Sequence, residues 1–282
     1  MEQARVTTSL RSKWCTVGST RIHYFDIDRA GAGTSLLILH GYLGSTVSFL
    51  DLIDRLSPDL RVVMPDLPAF GASGMPDSGC TMEYYLDFLA GFTEAVGLDR
   101  YYLMGTSMGA NMAAHYAAEY PQAVRRLIFS SPFGLHDQAG RMSQIKRWDA
   151  FLPLFCSLIT RRGIQRRLRR SILNQELVTP ELVDAYWRPF ATAEGRRAMV
   201  EITREIAGRC SMDEVLPRIE QSVLILIGSE DKLLGADDYE KFHRLLAREQ
   251  LEIIEGSGHF VYLDSPEVVT KKIVTFTRGG EE

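Results

Sequence analysis

Gly105-Thr106-Ser107-Met108-Gly109 follows the apolar run Tyr101-Tyr102-Leu103-Met104 and opens an alanine-rich stretch of helical pattern. A serine placed between glycines where a strand hands over to a helix sits on a turn too tight for ordinary backbone angles. Such a residue is held in a sparsely populated conformation, at a cost of about 1–3 kcal/mol, with its Oγ lifted above the sheet edge. Gly105 and Gly109 suit the turn because a Cβ at either place would run into the neighbouring strand or helix. The segment predicts a strand, a strained serine and a helix in that order, and makes Ser107 the candidate nucleophile.

Outward from this turn, short apolar segments alternate with longer helical patterns, the signature of a mostly parallel sheet. Strands are predicted at 21–26, 36–40, 61–65, 101–105, 126–130, 223–228 and 251–254, and helices at 47–56, 82–96, 108–119, 236–247 and 266–275. Leu36-Leu37-Ile38-Leu39 and Val223-Leu224-Ile225-Leu226-Ile227 are continuous apolar runs, as in strands buried on both faces. Ser265 is the expected N-cap of the last helix, with Pro266 at its first position. The alternation breaks between about 132 and 216, where helical patterns succeed one another: Thr179-Pro180 starts one helix, Pro189 stops it, and 192–208 forms another. The expected fold class is α/β, with a core of residues 1–131 and 217–282 and a helical cap inserted at 132–216.

The chain has 282 residues, 45% hydrophobic and 24% charged, a composition that fits a soluble globular protein. Its net charge of −4 argues against a general nucleic-acid binder. No apolar run approaches the ~20 residues of a membrane span. The opening Met1-Glu2-Gln3-Ala4-Arg5 lacks the apolar core of a secretory signal. Cys15, Cys80, Cys156 and Cys210 are scattered, which reads as free thiols in a reducing compartment, with no metal site. A cytoplasmic protein is expected.

A serine hydroxyl needs a base to take its proton, and the base needs an acid to orient it. His115 lies eight residues beyond Ser107 on the same helix, about 12 Å away and out of reach. His23 and His243 fall in a strand and a helix and read as packed or solvated; His136 is in the cap, and His40 reads as a turn-fixing residue. His259 differs, because Gly256-Ser257-Gly258-His259-Phe260 is a flexible turn directly after the 251–254 strand, able to carry an imidazole back over the sheet edge. The acid candidate is Asp231 in Gly228-Ser229-Glu230-Asp231, with Glu230 the competitor and Asp137 a substitute. Asp231 is preferred because adjacent side chains point apart and the third residue after the glycine suits the inward place. In His40-Gly41-Tyr42-Leu43-Gly44 the glycines let the backbone bend across the site, so that the N–H groups of Tyr42 and Met108 can converge on an oxyanion.

These parts together resemble the α/β-hydrolase fold superfamily, in which nucleophile, acid and histidine follow one another in the order of Ser107, Asp231 and His259. The His40-Gly41 turn supports the resemblance, as does Asp66-Leu67-Pro68-Ala69-Phe70-Gly71-Ala72-Ser73, which is similar to the family's D-x-P-G-x-G-x-S loop. Ala69 departs from the family glycine, a change expected to act on loop shape. Lys232-Leu233-Leu234-Gly235 departs from the proline or aliphatic residue often found after the acid. The resemblance implies a cofactor-free serine hydrolase acting on a small-molecule ester with an apolar acyl group, in the manner of bacterial esterases and monoacylglycerol-lipase-like enzymes. Hydrolysis of C–C bonds in meta-cleavage products is the alternative, and a non-catalytic ligand-binding member of the fold is a second. Phe133, Trp148, Phe155, Trp187 and Phe260 are candidate pocket residues.

Within the cap, Phe151, Leu152, Leu154, Phe155, Leu158 and Ile159 repeat at helical spacing and are expected to roof the pocket. Arg161, Arg162, Arg166, Arg167, Arg169 and Arg170 follow, interleaved with Ile164, Leu168 and Ile172. An amphipathic basic helix can lie on an anionic membrane surface. The favoured reading is an ordinary cap helix with a solvated arginine face.

Overall fold

The computed structural model describes residues 11–28, 31, 33–56, 58–135, 154, 156, 158–206 and 211–279. Its eight strands are β1 (Ser12–Val17), β2 (Thr20–Ile27), β3 (Ser35–Leu39), β4 (Arg61–Pro65), β5 (Tyr101–Thr106), β6 (Val124–Ser130), β7 (Val223–Gly228) and β8 (Glu249–Ile254). They form one sheet in the order β1-β2-β4-β3-β5-β6-β7-β8. The β1–β2 and β2–β4 pairs are antiparallel and the rest are parallel. All seven predicted strands are present, with ends shifted by a residue or two. β1 was not predicted. It is an edge strand whose side chains are mostly exposed, so it carries no run of apolar residues to betray it.

The helices are α1 (Leu50–Leu56, entered through a 3-10 turn at Thr46–Phe49), α2 (Met82–Ala95), α3 (Met108–Glu119), α4 (Arg161–Ser171), α5 (Pro180–Trp187), α6 (Ala193–Ile206), α7 (Ala236–Leu245), α8 (Val261–Asp264) and α9 (Pro266–Arg278). Successive strand residues point to opposite faces, and the core divides accordingly. Leu37, Leu39, Val63 and Leu103 pack with α2, α3 and α7. Leu36, Ile38, Val62 and Met104 pack with α1, α8 and α9. Between β6 and β7 the described residues carry α4, α5 and α6 and no strand. Among the described residues no helix is long and apolar enough to cross a membrane.

Two local readings are corrected. Ser265 precedes α9, but its side chain does not cap the helix; its Oγ is instead 2.8 Å from the Oγ of Ser257. Leu154 and Leu158, expected on the inward face of the inserted helices, are 58% and 67% exposed. Phe151, Leu152 and Phe155 lie outside the described residues.

Candidate active site

β5 is buried along its whole length at the centre of the parallel strands, and the chain leaves it at Ser107 with φ 53° and ψ −115°. This is the strained turn foreseen, and two close approaches enforce it. A Cβ on Gly105 would lie 2.2 Å from the carbonyl oxygen of Gly109, and one on Gly109 would lie 2.5 Å from that of Leu39. The Ser107 N–H donates to the Ser130 carbonyl (2.9 Å), which ties the turn to the end of β6. Met108, the first residue of α3, has an N–H with no acceptor inside the helix.

Asp231 follows β7 and His259 follows β8, at the same end of the sheet. β8 lies three strands from β5, and strands are about 4.8 Å apart, so His259 must be carried inward. The loop after β8 does this by crossing the tip of β7. Gly228 there has room only for hydrogen, since a Cβ would sit 2.2 Å from the Ser257 carbonyl oxygen. The Glu230 N–H donates to that same Ser257 carbonyl (2.9 Å), and the Gly256 N–H to Ser229 Oγ (3.0 Å). His259 Nδ1 then donates to Asp231 Oδ2 at 2.8 Å, while the Leu233 N–H donates to Oδ1 at 2.9 Å. The Asp231 side chain has no exposed surface. Burial alone would raise its pKa, but the hydrogen bond and charge of His259 and the Leu233 amide outweigh it, holding the carboxyl below its ordinary 3.8. Glu230, the competing acid, is exposed, and Asp137 lies outside the described residues.

Ser107 and His259 line one cavity, together with Gly41, Tyr42 and Phe260. Ile164, Arg167, Leu168 and Ser171 of α4 and Tyr186 of α5 close it from above. The cavity is small, about 30 Å³. A far larger open groove of about 1450 Å³ lies at the opposite end of the strands, beside Val124 and Val223, but no histidine lines it. Chemistry rather than volume picks out the site.

Tyr42 sits in a turn closed by the Gly44 N–H donating to the Gly41 carbonyl (2.9 Å), with Leu43 at φ 64°. Burial pushes the phenol of Tyr42 up to about 12, so it stays protonated. Its oxygen is 2.6 Å from Thr203 Oγ1 on α6. The Thr203 hydroxyl donates to the Met199 carbonyl (2.7 Å), which leaves the phenol as donor to Thr203. Sequence reasoning missed this contact, and also Asp264. One oxygen of Asp264 accepts from the Gly258 N–H (2.9 Å), and the other from Leu173 (2.8 Å) and Asn174 (3.0 Å). No local pattern announces either residue.

The other histidines are engaged elsewhere. His40 is fully buried; its Nδ1 donates to the Gly41 carbonyl (2.9 Å) and its Nε2 accepts from the Leu67 N–H (2.9 Å), so it fixes the turn as expected. His23 Nδ1 donates to Asp66 (2.8 Å), and His115 Nδ1 bonds the Asn111 carbonyl (3.0 Å). Asp66 also accepts from the N–H groups of Thr46 and Ala72, which folds residues 66–73 around its carboxylate. Ala69 takes φ 69°, so the loop keeps the left-handed shape a glycine would allow, contrary to the expected change in shape. Of the proposed pocket residues, Phe260 lines the cavity. Trp187 stacks on Phe190 (6.2 Å between rings), and Phe133 meets the elbow through its N–H, 3.3 Å from the Ser107 carbonyl; neither side chain is part of the wall. Trp148 and Phe155 lie outside the described residues. Among the described residues no group of three His, Cys, Asp or Glu side chains could hold a metal ion. Cys15, Cys80 and Cys156 are free thiols.

A family model described as the alpha/beta hydrolase fold matches residues 34–266. The chain belongs to the alpha/beta hydrolase family. It is 25% identical over 279 residues to the uncharacterised hydrolase YugF of Bacillus subtilis, covering 93% of this chain and 96% of that one. It is 22% identical to 2-hydroxy-6-oxo-2,4-heptadienoate hydrolase of Pseudomonas putida, over 83% of this chain and 85% of the relative. The crystal structure of a bacterial membrane phospholipase A superimposes with a TM-score of 0.80 at 25% identity, covering 96% of this chain and 86% of that one. The protein is a hydrolase of this fold.

Proposed function

We propose that this hydrolase cleaves a carboxylic ester with an apolar acyl group through an acyl-enzyme. The observation that carries the reading is the buried Asp231–His259 pair, whose imidazole lines the same cavity as a serine held on a strained elbow. Ser107 Oγ attacks the ester carbonyl while His259 Nε2 takes its proton. The N–H groups of Tyr42 and Met108 receive the oxyanion. His259 returns the proton to the departing alcohol, and a water activated by the same imidazole then releases the acid. Ile164, Leu168, Tyr186 and Phe260 give the acyl group an apolar wall. The helices of residues 132–216 act as a lid on the core formed by 1–131 and 217–282, and the enzyme works without cofactor in the cytoplasm.

Ser107→Ala is expected to abolish turnover of p-nitrophenyl esters while leaving the circular dichroism and melting temperature unchanged. Retention of more than a few per cent of wild-type kcat would refute the assignment. A fluorophosphonate should modify Ser107 in the wild type, which separates an enzyme from a binding member of the fold.

Arg167 favours a second reading. Its guanidinium lines the cavity beside the Tyr42 ring, where it could hold the carboxylate of a vinylogous diketone and so favour C–C bond hydrolysis. Running a meta-cleavage product beside the ester panel, by loss of its colour, decides between the two.

A further inference from the structure

Six of the eleven residues of α4 are arginine and none is acidic. At roughly 100° per residue, Arg162, Arg166, Arg169 and Arg170 fall within an arc of about 100° opposite the buried Ile164 and Leu168. All four are exposed, and among the described residues none is held in an ion pair, whereas Arg161 pairs with the carboxylate of Asp184 (2.5 Å). Like charges on adjacent turns repel, so this face is unfavourable unless an anion covers it. The segregation runs against a chain whose net charge is −4. Leucines bracket the basic face. Leu154 and Leu158 precede it, and Leu173, 42% exposed, follows it.

We propose that this face of α4 docks on an anionic lipid bilayer, with the four guanidiniums on headgroup phosphates and Leu158 and Leu173 entering the acyl boundary. Basic residues along one helix face, with exposed aliphatic side chains flanking that helix at both ends, supply the two signals that peripheral membrane binding requires. An RNA or an acidic peptide would be matched by the arginines and would leave the leucines in water. The inner side of the same helix carries Ile164, Arg167, Leu168 and Ser171 over the cavity, so docking sets the roof of the site against the lipid. The inference goes beyond the ester-hydrolase reading and does not need it.

The test is co-sedimentation with sucrose-loaded vesicles of phosphatidylcholine alone or with 30% phosphatidylglycerol, at rising NaCl. Wild-type protein should partition at least tenfold better onto the anionic vesicles and lose that preference as salt rises. Replacing the four arginines by glutamine (Arg162→Gln, Arg166→Gln, Arg169→Gln, Arg170→Gln) should weaken binding to the anionic vesicles by on the order of a thousandfold. Leu158→Ser with Leu173→Ser should weaken it on both vesicle types. Fluorophosphonate labelling and circular dichroism report whether each variant is folded, and should the fourfold change unfold the chain, Arg166→Gln with Arg170→Gln replaces it. Ser107→Ala should bind vesicles like the wild type, so loss of the catalytic reading and loss of this one are distinguishable. Equal partition onto the two vesicle types, wild-type binding by the arginine variant, or binding of a labelled RNA oligonucleotide without binding of vesicles would each overturn the proposal.

Discussion

Replacing Asp231 by asparagine keeps the shape of the acid and changes what it asks of His259. Oδ1 of Asp231 accepts the Leu233 N–H at 2.9 Å, and Oδ2 accepts from His259 Nδ1 at 2.8 Å, in a setting closed to solvent. Asparagine has one acceptor and one donor group to fill these places. The Leu233 amide can only donate, so the carbonyl of the new side chain must face it and the NH₂ must face His259. Nδ1 is then forced to accept, the ring proton moves to Nε2, and the nitrogen facing the cavity can no longer take a proton from Ser107. The negative charge that would stabilise the imidazolium is also lost. Wrong tautomer and missing charge together lower kcat by about 10⁴ in a comparable arrangement, a barrier increase of about 5 kcal/mol. Steady-state kinetics on p-nitrophenyl butyrate should return that loss for Asp231→Asn, with the rate of fluorophosphonate labelling falling in parallel. Glu230→Gln, on the exposed neighbour, should stay within a few-fold of wild type. An Asp231→Asn enzyme keeping more than 1% of wild-type kcat, or a Glu230→Gln enzyme equally damaged, would falsify the assignment of the acid.

Three further outcomes follow from other parts of the structure. Ala69 holds φ 69°, where a Cβ is strained, so Ala69→Gly should stabilise the protein by about 1 kcal/mol and raise Tm by about 2 °C, read by calorimetry; a fall in Tm would show that the loop is not strained there. Burial holds the His40 pKa below its ordinary 6.5 despite the opposing pull of Asp66 and the Gly41 carbonyl. Below about pH 6.5 the unfolded chain binds a proton that the folded chain refuses, so the neutral imidazole contributes stability above that pH, and the contribution is lost as pH falls toward the folded value. Urea titrations at pH 7.5 and 5.5 should show a smaller decline for His40→Gln, whose amide oxygen can still accept the Leu67 N–H, than for wild type; equal declines would remove His40 from the account. Thr203→Val deletes the acceptor of the Tyr42 phenol, and if that bond holds the oxyanion turn, kcat should drop about tenfold with KM little changed, whereas a rise in KM alone would make it a lid contact only.

The parts legible in sequence are those where a backbone constraint leaves a residue signature. The elbow, the Gly228 crossing and the Gly256-Ser257-Gly258 turn all need glycine, and the buried parallel strands need unbroken apolar runs, so the strained turn at Ser107 and the loops that bring His259 to Asp231 at one end of the sheet could be read without coordinates. β1 escaped because an exposed edge strand needs no such run. Trp187 was misread because an aromatic residue in a helical pattern serves a ring stack as readily as a pocket. Leu154 and Leu158 have the spacing of a buried stripe, yet spacing alone does not say which side of a helix meets the core. Thr203 and Asp264 act through pairs separated by 161 and 90 or more residues, and a hydroxyl or carboxylate chosen for a distant partner looks like any surface residue.

Those two long-range contacts bear on how a substrate enters. The cavity is narrow and roofed by α4 and α5, so what the walls can do as a substrate enters depends on how they are tied down. Asp264 joins the loop carrying His259 to Leu173 and Asn174, immediately after α4, and a Cβ on Gly258 would lie 2.5 Å from the Ser171 carbonyl oxygen at the end of that helix. Lifting the C-terminal end of α4 would therefore drag on His259 and disturb its bond to Asp231. The wall is less constrained at Leu233, which lines the cavity while 43% exposed. Its backbone N–H is fixed by Asp231, but its side chain can swing without breaking any hydrogen bond. Entry past Leu233, with the end of α4 held, keeps the imidazole and carboxylate aligned while the site opens, and it confines the motion to a side chain facing solvent.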